Sequence, residues 1–243
     1  TALRPTPRTA DVRRTLGTTL VAAALVLGAC GDGDTDDPAA TAATAATAAT
    51  DDADTAAPAS ADCPPAGGAD TRTTTFDAPP PECLVDGVTY QAVVTTNTGE
   101  FTIELDPEQA PVAANNFAFL ARNLYYDDTP CHRIIPSFVV QCGDPTGTGT
   151  GGPGYTIVDE PPPAGEYQLG SVAMAKRPDP DSAGSQFFII IGPSGEALPP
   201  EYALFGQVVD GFDTTVAAMA AAGTPDGVPS EPIRIESIRI VES

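Results

Sequence analysis

From residue 90 onward, apolar positions recur with two periods. Residues 91–96 read as a strand, Asn97-Thr98-Gly99 as a turn, and residues 100–105 alternate apolar and polar with period two, so a hairpin is predicted. Pro111 then opens a helical pattern through Asn123, with Phe117, Leu120 and Ala121 on one face. Short strands follow at 138–141, 172–175, 186–191 and 203–209, with a glycine-rich loop at 146–155 between the first two. Asp213 is expected to cap a second helix ending at Gly223. Residues 233–235 and 238–240 form a last strand, and the phase break at Glu236-Ser237 predicts a bulge. Many short strands with two helices predict an all-β fold, a closed antiparallel barrel with helical caps.

Before residue 90 the pattern is different. Arginines precede an apolar run, residues 20–27, too short to span a bilayer comfortably, and Leu27-Gly28-Ala29-Cys30 follows. This order reads as a signal peptide over 1–29 and resembles the bacterial lipobox, in which the cysteine is acylated. Cys30 is therefore the expected lipidation site and membrane anchor, since two acyl chains suffice for stable anchoring. An ordinary cleavage site with an incidental cysteine is the plainer alternative. Residues 31–62 consist mainly of Ala, Thr, Asp and Pro and lack aromatic or large aliphatic residues. Such a segment cannot bury enough surface to offset its ordering entropy. A disordered tether over 30–87 and a folded domain over 88–243 are expected.

The formal charge is −22, and it is uneven: +3 over residues 1–30, −11 over 31–86 and −14 over the rest. No region after residue 30 is basic, which argues against nucleic acid as a partner. Of five cysteines, lipidation of Cys30 leaves Cys63, Cys83, Cys131 and Cys142. An even number outside the cytoplasm favours disulfides, and four cysteines allow three connectivities. Cys131–Cys142 and Cys63–Cys83 are preferred, because the first pair flanks the Pro136-Ser137 turn almost symmetrically and the second brackets one loop. Free buried thiols are the alternative. His132 is the only histidine. It rules out a His-rich zinc site and reads as a structural strand residue. Cys131 and His132 should point to opposite faces and not share a metal ion.

The chemistry is concentrated in two runs. His132-Arg133-Ile134-Ile135-Pro136-Ser137-Phe138-Val139-Val140-Gln141 sets one arginine, one phenylalanine and one glutamine among strand formers, and Gly184-Ser185-Gln186-Phe187-Phe188-Ile189-Ile190 repeats the mixture. A site holding an apolar ring beside a polarised amide points to X-Pro peptide bonds. These runs resemble the signature of cyclophilin-type peptidyl-prolyl cis-trans isomerases. So do Met174-Ala175-Lys176, Ser182-Ala183, the run from Leu204 to Val209, and the helix from Pro107 to Leu120. The resemblance covers about residues 88–241. It implies a closed eight-stranded antiparallel barrel capped by two α-helices.

It also implies roles. Arg133 matches the catalytic arginine. Phe138, Val139, Phe188 and Leu198 match walls of the proline pocket, and Gln141 and Gln186 match polar groups beside the substrate backbone. Ala175 and Lys176 match positions whose main chain pairs with substrate. Tyr202 stands where other members often carry histidine. Val139 replaces a commoner methionine, and Ala197 stands where inhibitor-sensitive members carry tryptophan, so weak cyclosporin binding is expected. Phe187, alternating with Phe188, reads as core. Rotation about X-Pro breaks no bond, so no nucleophile, metal or cofactor is expected. The reading is a monomeric, exported, lipid-anchored isomerase acting on proline-containing polypeptides. A non-catalytic proline-binding module or chaperone on the same fold is the alternative.

Overall fold

The computed structural model describes residues 62–243. One antiparallel sheet of nine strands dominates: β1 (Tyr90–Thr96), β2 (Gly99–Leu105), β3 (Thr129–Pro130), β4 (Arg133–Ile135), β5 (Val139–Cys142), β6 (Ser171–Met174), β7 (Phe187–Ile190), β8 (Leu204–Asp210) and β9 (Arg234–Glu242). Their order is β3-β9-β1-β2-β8-β6-β7-β5-β4. The sheet curls, but its hydrogen-bond ladder does not close. The edge strands β3 and β4 are consecutive in sequence, so only Cys131 and His132 join the two ends. The expected closed eight-stranded barrel is thus corrected to a nine-strand curled sheet with a covalent seam. Counting 129–135 as one bent strand recovers eight.

The β1–β2 hairpin turns at Asn97-Thr98, as alternation predicts. The Thr96 hydroxyl donates to Gly99 O at 2.9 Å across it. In β9 the register against β1 slips from Ser237 to Ile235, which leaves Glu236 as the bulge. Helix α1 (Pro111–Arg122) packs Ala113, Ala114, Phe117, Ala118, Leu120 and Ala121 into the sheet's hollow. It has no local side-chain cap. Glu160 supplies one from another loop, its carboxylate accepting the N–H groups of Val112 (3.0 Å) and Ala113 (2.8 Å). The Phe117 ring meets those of Tyr126, Phe187 and Phe205 at 5.0–5.2 Å, the centre of the core.

The second helix differs from expectation. Its start is a π turn, Phe212–Val216, followed by α3 (Ala217–Ala221). Gly211, at φ 79°, occupies the cap position, and exposed Asp213 makes no capping bond. The Thr215 hydroxyl instead ties the turn to Glu100 O of β2 at 2.7 Å. A single further turn of helix, α2 (Pro193–Glu196), stands beyond the two helices that the pattern predicts.

Residues 62–89 form an ordered strap rather than the last part of a tether, which corrects the expected boundary at 87. Its composition is poor in apolar groups, yet its backbone is satisfied by the domain. Asn115 Oδ1 accepts the N–H of Cys83 (2.7 Å) and Leu84 (3.2 Å), and Ala69 N–H donates to Arg122 O at 2.7 Å. The Phe76 ring lies 5.1 Å from that of Phe119. The expected signal peptide, Cys30 and the tether through residue 61 lie outside the described residues.

Both expected disulfides form, Cys63–Cys83 within the strap and Cys131–Cys142 across the β4–β5 hairpin. No thiol of these four should react in the unreduced protein. After mild reduction, exposed Cys63 should label before Cys131 and Cys142, which are each 1% accessible. Mass-spectrometric mapping of labelled peptides checks this, and early labelling of Cys131 would contradict it.

Candidate active site

Strands β4, β5, β7 and β6 have two different apolar faces. On one, Ile134, Val140, Cys142, Phe187, Ile189, Val172 and Met174 join the main core. On the other, Val139, Phe188, Ile190 and Ala173 form a second cluster with Tyr167. Half-buried Phe138, Ala175, Leu198, Tyr202 and Leu204 rim it. The period of two generates both faces. It explains why β6 and β7 read as continuous apolar runs: the face turned away from the core lines a site.

Register sets the polar groups beside that cluster. Arg133 pairs with Gln141, and Gln141 pairs with Phe188, so the three sit in one row across β4, β5 and β7. Arg133 Nη1 donates to Gln141 Oε1 at 3.2 Å, and Gln141 Nε2 donates to Gln186 Oε1 at 3.0 Å. The Arg133 Cζ lies 5.5 Å from the Phe138 ring centroid. The Phe188 ring meets Tyr202 edge-on at 5.4 Å. Tyr202 is itself held by Tyr167, whose hydroxyl donates to Tyr202 O (2.7 Å) and accepts Tyr202 N–H (3.0 Å). The result is an apolar patch with a fixed guanidinium and two oriented amides at its edge. It can seat a small apolar ring and present positive charge to a neighbouring carbonyl or amide nitrogen.

A family model described as cyclophilin type peptidyl-prolyl cis-trans isomerase matches residues 91–240. The chain belongs to this family. It is a cyclophilin-type isomerase, and its relatives agree. It is 37% identical over 174 residues to the probable peptidyl-prolyl cis-trans isomerase B of Mycobacterium leprae, with 64% of this chain covered. The match spans only 58% of that protein. It is also 37% identical to the peptidyl-prolyl cis-trans isomerase-like 1 of Gibberella zeae, over 64% of this chain and 97% of that one. A solved cyclophilin type isomerase of Cryptosporidium parvum superposes with a TM-score of 0.59 at 34% identity, covering 64% of this chain and 99% of that one. The same protein has been crystallised in the presence of the dipeptide Ala-Pro, and that structure superposes with a TM-score of 0.58.

Against the cyclophilin expectations, the fold brings Arg133, Phe138, Val139, Gln141, Gln186, Phe188, Leu198 and Tyr202 together. Val139 is 2% exposed, so its smaller side chain still lies within the packed cluster. Ala175 rims the cluster, but its N–H donates to Gln186 O at 2.8 Å and is not free for a peptide. Lys176 turns its ammonium to Asp159. Ala175, Lys176, Gly151 and Gln186 border a neighbouring hollow of about 220 Å³. No group of metal-ligating side chains occurs among the described residues. Both ring nitrogens of His132 are buried without a partner. Burial pushes its pKa below the ordinary value, Asp144 opposes the shift and Arg133 reinforces it, so the imidazole is neutral at pH 7.

Tyr167, Ala173, Ile190 and Asp144 were not singled out. Tyr167 had a readable signal, an aromatic residue isolated in a Pro/Gly-rich loop. Another hollow, of about 920 Å³, has none of Arg133, Gln141, Gln186 or Phe188 in its lining. Its lining mixes Leu84, Val85, Leu105 and Leu204 with the carboxylates of Glu82, Asp86, Glu104, Asp106, Glu108 and Glu166, and it presents no cation to a twisted amide.

Proposed function

We propose that this isomerase accelerates X-Pro rotation in exported or envelope proteins by stabilising the twisted amide with Arg133. The observation that carries the reading is the guanidinium held at 3.2 Å from Gln141 Oε1 in the same strand row as Phe188. A planar amide shares the nitrogen lone pair with its carbonyl. At the twisted transition state the pair returns to nitrogen, and a fixed positive charge stabilises that form more than the planar one. Phe138, Phe188, Leu198 and Tyr202 hold the ring, and Gln141 and Gln186 align the peptide on the acyl side. The uncatalysed change takes about tens to hundreds of seconds. The full chain should shorten it for a proline tetrapeptide at catalytic concentration. Binding of the peptide without acceleration would instead mark a non-catalytic proline-binding module.

The two disulfides support an oxidising, extracytoplasmic setting. In this reading a lipid on Cys30 anchors the protein, and residues 30–61 act as the tether. Cys30→Ser should move the protein from the membrane fraction to the soluble one, and retention in membranes would place the anchor elsewhere. The exposed large apolar residues, among them Val85, Val112, Val158 and Val228, belong to different elements, which supports a monomer. Ala197 is small and exposed, which supports weak cyclosporin binding.

A further inference from the structure

We propose that Asp144 is a positioning residue for Arg133, acting through the glycine-rich loop, Gln186 and Gln141. The inference rests on the reading of Arg133 given above. Asp144 has no accessible surface and belongs to no ion pair among the described residues. A buried carboxylate without a counter-charge persists only when donors surround it. Here the donors come from one loop. Asp144 Oδ1 accepts the N–H and the hydroxyl of Thr146, both at 2.7 Å, and Oδ2 accepts the N–H groups of Gly149 (2.6 Å) and Gly151 (3.1 Å). Burial alone would raise its pKa, but these bonds together hold it at about 2, so it is ionised throughout the working range. The glycines are needed for this approach: Gly149 has φ +82°, and a Cβ on Gly151 would overlap the Asp144 carboxylate.

The same two glycines turn their carbonyls the other way. Gln186 Nε2 donates to Gly149 O at 3.0 Å and to Gly151 O at 2.9 Å. The sequence Asp144, loop, Gln186, Gln141, Arg133 is therefore one chain of hydrogen bonds with a fixed sense. It begins at a group that only accepts and ends at a guanidinium that only donates. Between them each glutamine amide must point its nitrogen toward the loop and its oxygen toward Arg133. Without the loop carbonyls, Gln186 would be free to flip. Gln141 could then offer its NH2 to the guanidinium, which would lose its acceptor. Asp144 thus sets the direction of both amides and, through them, the place of the charge.

The test uses the full chain and a proline tetrapeptide. Asp144→Asn should lower kcat by about tenfold to a hundredfold through displacement of the charge. KM should change little, because the apolar wall is untouched. Gln186→Leu should lower kcat similarly, and the double variant should be no worse than the weaker single, because both break one chain. Losses that multiply, or a loss in KM alone, would overturn the proposal. If Asp144→Asn does not fold, Gly151→Ala with Gln186→Leu replaces it in the same cycle and is judged by the same outcomes. The Arg133 side-chain Nε–Hε resonance should shift in Asp144→Asn, and an unmoved resonance in the folded variant counts against the link. This readout does not depend on turnover. If Arg133→Ala proves fully active, the catalytic reading fails while the resonance still decides the positional one.

Discussion

Arg133→Ala should lower kcat/KM for a proline tetrapeptide by about 10²–10³-fold, the usual loss on removing one donor aimed at developing charge. The fall should appear in kcat more than in KM, because Phe138, Phe188 and Leu198 still hold the ring. Arg133→Lys should recover little. An ammonium has no fork with which to keep the Gln141 bond while facing the peptide, and it is more strongly hydrated than a guanidinium. Stability should barely change, because the side chain is only half-buried and makes one side-chain hydrogen bond, to Gln141. Coupled measurement of tetrapeptide isomerisation and thermal unfolding separates the two effects. A variant that keeps the parent rate would mean that the transition-state charge comes from elsewhere, and one that loses rate only by unfolding would make Arg133 structural.

The strands were legible because period two is local: residues two apart share a face whatever lies across the sheet. The grouping of Arg133, Gln141 and Phe188 came from the family resemblance, and their common row depends on a cross-strand register that no single run reveals. The Phe187/Phe188 division and the two disulfides were legible for the same local reasons, alternation and short bracketing turns. What was not legible depends on partners distant in sequence. The strap at 62–89 fell almost wholly within the expected tether, as a polar, proline-rich stretch bracketed by Cys63 and Cys83. Its order comes from Asn115, Arg122 and Phe119, which no composition of the strap reveals. The α1 N-terminus is capped by Glu160, 48 residues from Val112, a partner that local sequence cannot indicate. Asp213 had the right chemistry for an N-cap, yet Gly211 and the Thr215–Glu100 bond set the turn there. Asp144 stands three residues beyond the first run, and its burial and its loop could not be read from spacing.

Phe187 and Phe188 allow the two faces of β7 to be separated by experiment. Phe187→Ala should cost about 3–5 kcal/mol of stability. Its ring is fully buried and stands perpendicular to Phe117 and Tyr126 at 5.2 and 5.6 Å, so truncation leaves a closed void in the main core. The folded fraction should nevertheless turn over near the parent kcat, since Arg133, Gln141 and Gln186 do not touch that face. Phe188→Ala should do the reverse. Its ring lies in a cluster rimmed by half-exposed Phe138, Leu198 and Tyr202, so water can enter the gap, and the cost should be about 1–2 kcal/mol. The proline ring loses its wall, so KM for the tetrapeptide should rise by about tenfold, the equivalent of losing roughly 1.4 kcal/mol of apolar contact. Denaturant unfolding and steady-state kinetics on both variants check the contrast. If Phe188→Ala destabilised the domain as much as Phe187→Ala and left KM unchanged, the second cluster would be ordinary core and the proline site would have to lie elsewhere. Equal KM changes in both variants would show that the faces are mechanically coupled, because a void behind the strand would then be deforming the wall in front of it.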